Sequence, residues 1–206
     1  AGVALLMLAD REKQRKRPLL VAAGVFVGFA LLTKNEGTLF FFAIVATRII
    51  QLRRPSPLRT IATEVGYIAA GSSPALLLSA WHRHLAGNNE LLKAAGSESV
   101  FQKLTAVSRY SAVATAFAEQ FRAFDSWMLV LLGIAMMTGF GGPRRRSMLA
   151  GLAVTLGVLV GGYFVVFLVT PYDLAWHLTS STDRLAMQLQ PLMIIFVFCA
   201  LPPLEE

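Results

Sequence analysis

A single cysteine, Cys199, occurs in the 206 residues, and it lies inside an apolar run. One thiol builds neither an intrachain disulfide framework nor a metal knuckle, so it reads as a small lipid- or core-facing residue. Acidic side chains are scarce, 12 against 19 lysines and arginines, and there are three histidines. The chain has no P-loop, no GxGxxG run between a strand and a helix, no HExxH and no GxSxG. These absences exclude nucleotide-sugar chemistry in a soluble Rossmann-like domain. The segment Trp81-His82-Arg83-His84 resembles a metal motif only on the surface. Histidines two apart do not share a helix face, and no Cys, Asp or Glu completes the set. No metal site is expected, and a divalent ion held partly by residues elsewhere stays open.

Long apolar runs are plentiful. The chain is 55% hydrophobic with mean hydropathy +0.59, and its net charge of +7 sits in short blocks between those runs. Such blocks are the positive-inside signature of a membrane protein and not a nucleic-acid-binding stripe. Two short arms, Leu19–Thr33 and Thr38–Ile50, meet at Thr33-Lys34-Asn35-Glu36-Gly37. Basic clusters flank the pair, Arg11 to Arg17 ahead and Arg48, Arg53, Arg54 and Arg59 behind. Both ends are therefore expected in the cytoplasm, with the polar knot outside. Each arm is about 15 residues, roughly 20–22 Å of helix against about 30 Å of hydrocarbon, which holds Lys34 and Glu36 near the outer surface.

The remaining chain alternates in the same way. Ile61–Trp81 is a span interrupted by Glu64, Gly71 and Pro74, and residues 82–125 form the one sizeable extracytoplasmic loop. Within that loop Val100–Phe124 carries apolar residues at spacings of three, four and seven, which reads as an amphipathic helix on the outer membrane surface, with a helix packed on other loops as the alternative. Ser126–Gly142 returns to Arg144-Arg145-Arg146, and Ser147–Thr170 goes out again with Gly157 and Gly161 in a GxxxG spacing that suits close helix approach. Pro171–Asp183 is a second outer loop before a last helix, Arg184–Leu204. The fold class expected is all-α, a polytopic transmembrane bundle of about six membrane segments, two of them short. Residues 1–206 form one transmembrane domain. Ala1–Ala9 reads as the tail of a membrane helix, so the chain is expected to be the C-terminal part of a longer membrane protein.

Polar residues without a solubility role gather on the outer side. Ser180, Ser181 and Thr182 are N-cap candidates for the last helix, with Asp183 and Arg184 in its first turn. A helix N-terminus favours an anion, and a guanidinium grips phosphate with two hydrogen bonds. Arg184 and Lys34 thus read as binders of a lipid-linked phosphate, and His177 as a hydrogen-bonding auxiliary beside the interfacial Trp176. Glu36, Asp173 and Tyr172 are candidates for sugar or acceptor hydroxyls. Each has a plainer role open to it: Lys34 and Glu36 as a pair closing a membrane hairpin, Arg184 snorkelling beside Asp183, His177 as an ordinary interfacial residue, Tyr172 and Asp173 stabilising the turn after Pro171.

Leu31-Leu32-Thr33-Lys34-Asn35-Glu36-Gly37, at the end of a glycine-rich helix, resembles the "LTK-x-x-G" segment of the GT-C superfamily of integral-membrane glycosyltransferases. The stretch Asp183-Arg184-Leu185 through Gln190-Pro191-Leu192 resembles the "R-x-L…P" stretch of the family 39-like branch, which is similar to protein O-mannosyltransferases and aminoarabinose transferases. The resemblance implies a sugar donor on a polyprenyl-phosphate carrier, with Lys34 and Arg184 near the carrier phosphate and no other cofactor. It also implies an acidic catalytic residue in an earlier outer loop that this chain does not contain, so the catalytic base is unknown here and the piece is expected to be inactive alone. Expected partners are the lipid-linked sugar donor, membrane lipids and the rest of its own polypeptide, with no nucleic acid. The expected location is a bacterial-type cytoplasmic (inner) membrane with the active face extracytoplasmic. A transporter or flippase is the alternative, although charges at loops and the lack of a repeat argue against it. A non-enzymatic scaffold explains the glycines but not the outer lysine, histidine and arginine.

Overall fold

The computed structural model describes residues 1–12, 14–33, 35–52, 58–86, 100–137 and 143–201. Side chains at 33, 35, 52, 83, 85, 86, 123–132, 134–137 and 143–145 fall outside that description. The described residues are helical throughout, without strands, and the chain divides into two compact units, Ala1–Gly87 and Asn88–Glu206.

The first unit holds α1 (Gly2–Arg11), α2 (Lys16–Thr33), α3 (Asn35–Leu52) and α4 (Leu58–Ala86). The arms expected at about 15 residues each form helices of 18, and the polar knot supplies the end of one and the start of the other. Gly37 is buried in the first turn of α3, where a Cβ would collide with the carbonyl of Ala30. Only a glycine lets the two backbones meet there. Helices α2 and α4 approach just as closely. A Cβ on Gly24 would strike the Ile68 carbonyl, and one on Gly71 would strike that of Val21. The Ser72 hydroxyl lies 2.8 Å from the Gly24 carbonyl and 3.0 Å from that of Ile68, sharing its proton between the two helices.

Pro74 sits inside α4 without ending it. Its missing N–H leaves the carbonyl of Ala70 without the usual helical donor, and the Ser73 hydroxyl donates to that oxygen at 2.7 Å. The helix runs on to Ala86, so residues 82–86, expected in the outer loop, continue the helix.

The second unit holds α5 (Val100–Thr105), α6 (Val107–Met137), α7 (Pro143–Val169) and α8 (Leu174–Ala200). Two boundaries differ from expectation. The amphipathic stretch breaks at Ala106, and α6 then passes without interruption through Phe124–Ser126 into the apolar segment. No glycine or proline lies between Val107 and Leu132, so a change from amphipathic to apolar pattern gives the backbone no reason to stop. The last helix starts at Leu174, ten residues before Arg184. Asp173 is its N-cap and accepts the Trp176 N–H at 2.8 Å. Ser180, Ser181 and Thr182 therefore do not cap it. The hydroxyls of Thr179, Ser180 and Thr182 donate back to carbonyls of the preceding turn.

Gly157 and Gly161 also differ from expectation: among the described residues nothing lies within 4 Å of a Cβ at either position. The close approach is made by Gly24, Gly28 and Gly71 instead. At the far end of the α7–α8 pair, Leu149 and Ala200 are buried together, with Phe196, Cys199 and Leu201 packed on them. Among the described residues three helices are long and apolar enough to cross a membrane: Leu58–His82, Arg146–Val169 and Leu174–Ala200.

Candidate functional site

The junction between α7 and α8 gathers the polar chemistry of the second unit. Thr170, the first residue beyond α7, is 1% exposed, and its hydroxyl lies 2.7 Å from Nδ1 of His177. The same hydroxyl accepts the Tyr172 N–H at 3.3 Å. The imidazole is framed by rings. Phe167 lies 4.8 Å away, Tyr172 5.7 Å, and Trp176 is stacked at 6.5 Å. Thr170 and these rings fix the orientation of His177, leaving its tautomer open.

Two cations reach this junction from outside the hairpin. Lys103 of α5 is 7% exposed, and its ammonium donates to the Thr170 carbonyl at 3.0 Å. Arg109, early in α6, donates through Nε to the Leu168 carbonyl at 3.0 Å and through Nη2 to that of Phe167 at 3.4 Å. Both satisfy carbonyls at the C-terminal end of α7, where the intrahelical partners run out and the helix carries partial negative charge.

Arg184 is not at a helix N-terminus. It lies ten residues into α8, about 15 Å along the axis, and is exposed. The argument that a helix N-terminus helps it hold an anion fails for that reason. A different relationship replaces it. His177, Ser181, Arg184 and Gln188 follow the i, i+4, i+7, i+11 spacing of one helix face. Gln188 accepts a hydrogen bond from the Tyr163 hydroxyl of α7 at 3.1 Å. A polar stripe thus runs down a helix otherwise apolar enough to span a membrane, tied to α7 at Thr170 and Tyr163.

Asp173 is exposed and commits a carboxylate oxygen to its cap, and Tyr172 is half exposed with its ring against Trp176 at 5.8 Å. Glu36 lies in the first turn of α3. Lys34 is outside the described residues, as are the side chains of Arg144 and Arg145. Below the junction Phe117 packs on Phe164 and Phe167 at 5.9 and 5.8 Å, and opens into a groove lined by Phe121, Tyr163, Leu185 and Leu189. Gln120 borders that groove with its Nε2 sealed from solvent and unpartnered.

The first unit contains a charge cluster that sequence reasoning missed. Arg48 of α3, 2% exposed, uses all five of its N–H donors. Nε and Nη2 donate to Glu64 at 2.8 and 2.5 Å, and Nη1 and Nη2 to Asp10 at 2.8 and 2.6 Å. Nη1 also reaches Gln51 at 3.4 Å, and Lys16 pairs with Glu64 at 2.5 Å. The four charges come from four helices. By sequence Arg48 groups with the basic loop, and Glu64 reads as an interruption of a span. The missed signal was an acid in an apolar helix at the end where the basic residues stand.

Among the described residues no three His, Cys, Asp or Glu side chains converge as a metal site. The class defined so far is an all-helical chain with helices of membrane-spanning length and hydropathy. No protein-family model, curated protein or solved structure matches the chain.

Proposed function

We propose that the chain is part of an integral-membrane glycosyltransferase, moving a sugar from a polyprenyl-phosphate carrier to an acceptor at the extracytoplasmic face of a bacterial-type cytoplasmic membrane. About six membrane segments and an amphipathic stretch, Val100–Phe124, on the outer face complete this reading. The observation that carries it is the stripe on α8, with Arg184 two turns below His177 on one face, about 10 Å along the axis. An ionisable residue at that depth in a spanning helix is costly and marks a site. The two motif resemblances point to the same arginine.

In this reaction the acceptor hydroxyl oxygen attacks the anomeric carbon, and the bond from that carbon to the phosphate oxygen breaks. The lipid phosphate leaves with the electron pair, and the hydroxyl proton passes to a carboxylate supplied outside this chain. Arg184 offsets the charge growing on the departing phosphate, and His177 donates a hydrogen bond to it. Tyr172 and Asp173 offer contacts to sugar or acceptor hydroxyls.

The depth of Arg184 also suits the alternative of a transporter or flippase, and one assay separates the two. The full-length protein, reconstituted with polyprenyl-phosphate sugars, should transfer sugar to an acceptor. Arg184→Ala should lower transfer at least about 100-fold with membrane insertion intact. Translocation of the lipid without transfer overturns the enzyme reading, and full activity of the variant removes Arg184 from the site.

A further inference from the structure

The C-terminal end of α7 is over-supplied with positive charge. A helix end carries about half a negative charge, yet Lys103 and Arg109 bring two full cations to it. Among the described residues neither has a carboxylate at ion-pair distance. The carbonyls occupy one of three donors on Lys103 and two of five on Arg109.

Helix α5 turns its lysine inward and its phenylalanine outward. Phe101 is 75% exposed, whereas Lys103, two residues on in the same helix, is buried. A buried ammonium that meets only carbonyl dipoles keeps most of its charge uncompensated unless an anion completes it.

We infer that Lys103 and Arg109 form a binding site for the phosphate group of a lipid at the α7–α8 junction. This rests on the reading of the protein as one that handles a lipid-linked phosphate, and it adds two cations that neither motif contains. Lys103 contributes a compact charge, and Arg109 the fork geometry that matches phosphate oxygens. A lipid is favoured over free phosphate because large apolar side chains stand exposed around the two cations, Phe101 and Leu104 on α5 and Val107 and Tyr110 on α6.

The test uses the full-length protein in phosphatidylcholine nanodiscs, with three probes: a polyprenyl phosphate, the matching polyprenol and inorganic phosphate. Lys103→Gln and Arg109→Gln each keep a donor for the α7 carbonyls while removing charge. Each should weaken polyprenyl-phosphate binding about tenfold or more, leave polyprenol binding unchanged, and lose little in Lys103→Arg. Unaltered polyprenyl-phosphate binding in the glutamine variants, with the wild type binding well, overturns the site but leaves the proposed function standing. Equal wild-type affinity for polyprenol and polyprenyl phosphate overturns both. Inorganic phosphate binding that falls in the same variants and matches the lipid in strength overturns the lipid assignment. If Lys103→Gln fails to insert, the same comparison is read from Arg109→Gln.

Discussion

Arg48 and Glu64, on neighbouring helices, hold each other through two hydrogen bonds of 2.8 and 2.5 Å while almost sealed from solvent. The desolvation cost of such a pair is offset only while each partner stays in place. Asp10 takes the other edge of the guanidinium and Lys16 the second oxygen of Glu64, so no single charge is spare.

Removing one member should therefore hurt more than removing both. Glu64→Leu leaves a buried guanidinium half-paired and is expected to cost about 3–5 kcal/mol of stability. Adding Arg48→Met should recover a large part of that loss, because Asp10 and Lys16 lie closer to solvent and can be hydrated. Thermal unfolding of the two single variants and the double variant in detergent gives the coupling. Additive losses would show that the four charges do not act as a unit.

The glycines divide into those that touch a backbone and those that do not. Gly24→Ala and Gly71→Ala place a methyl group inside the opposing carbonyl, so α2 and α4 must separate. Each should cost about 1–3 kcal/mol or more. Gly157→Ala meets open space in the middle of α7 and should be neutral or stabilising by up to about 1 kcal/mol. Unfolding midpoints for the three variants check the order, and a Gly157→Ala loss equal to that of Gly24→Ala would refute it.

The sequence made the helical class and the hairpin around Gly37 legible, because hydropathy and the charge blocks report where apolar runs begin and end. It did not reveal which glycines make contact. Gly24 and Gly157 carry the same GxxxG spacing, and the difference lies in whether a partner helix presents a small residue such as Gly71 or Ser72 opposite. Nor did it reveal Lys103, since a lysine among Val100, Phe101 and Leu104 fits a polar face until the tertiary fold turns it inward. At the site, His177 is held by Thr170 at the expected junction, whereas Arg184 lies two turns below His177 along α8. A run of Ser and Thr has the composition of a cap, but hydroxyls that donate back to their own helix give the same composition in its interior.

That last ambiguity has a direct test. If Asp173 starts α8, Asp173→Ala exposes an unsatisfied first turn and should cost about 1 kcal/mol, with Asp173→Asn nearly neutral because asparagine caps as well. Ser180→Ala, which removes a hydroxyl bonded only within the exposed helix face and to Ser181, should change stability by less than about 0.5 kcal/mol. Hydrogen exchange adds the spatial information: amides from Leu178 to Thr182 should be protected as helix interior in the wild type and should exchange faster in Asp173→Ala. Fast exchange of those amides in the wild type, or a loss in Ser180→Ala larger than in Asp173→Ala, would return the start of the helix to the serine run. Arg184 would then regain a first-turn position, where an anion meets unpaired N–H groups as well as the guanidinium.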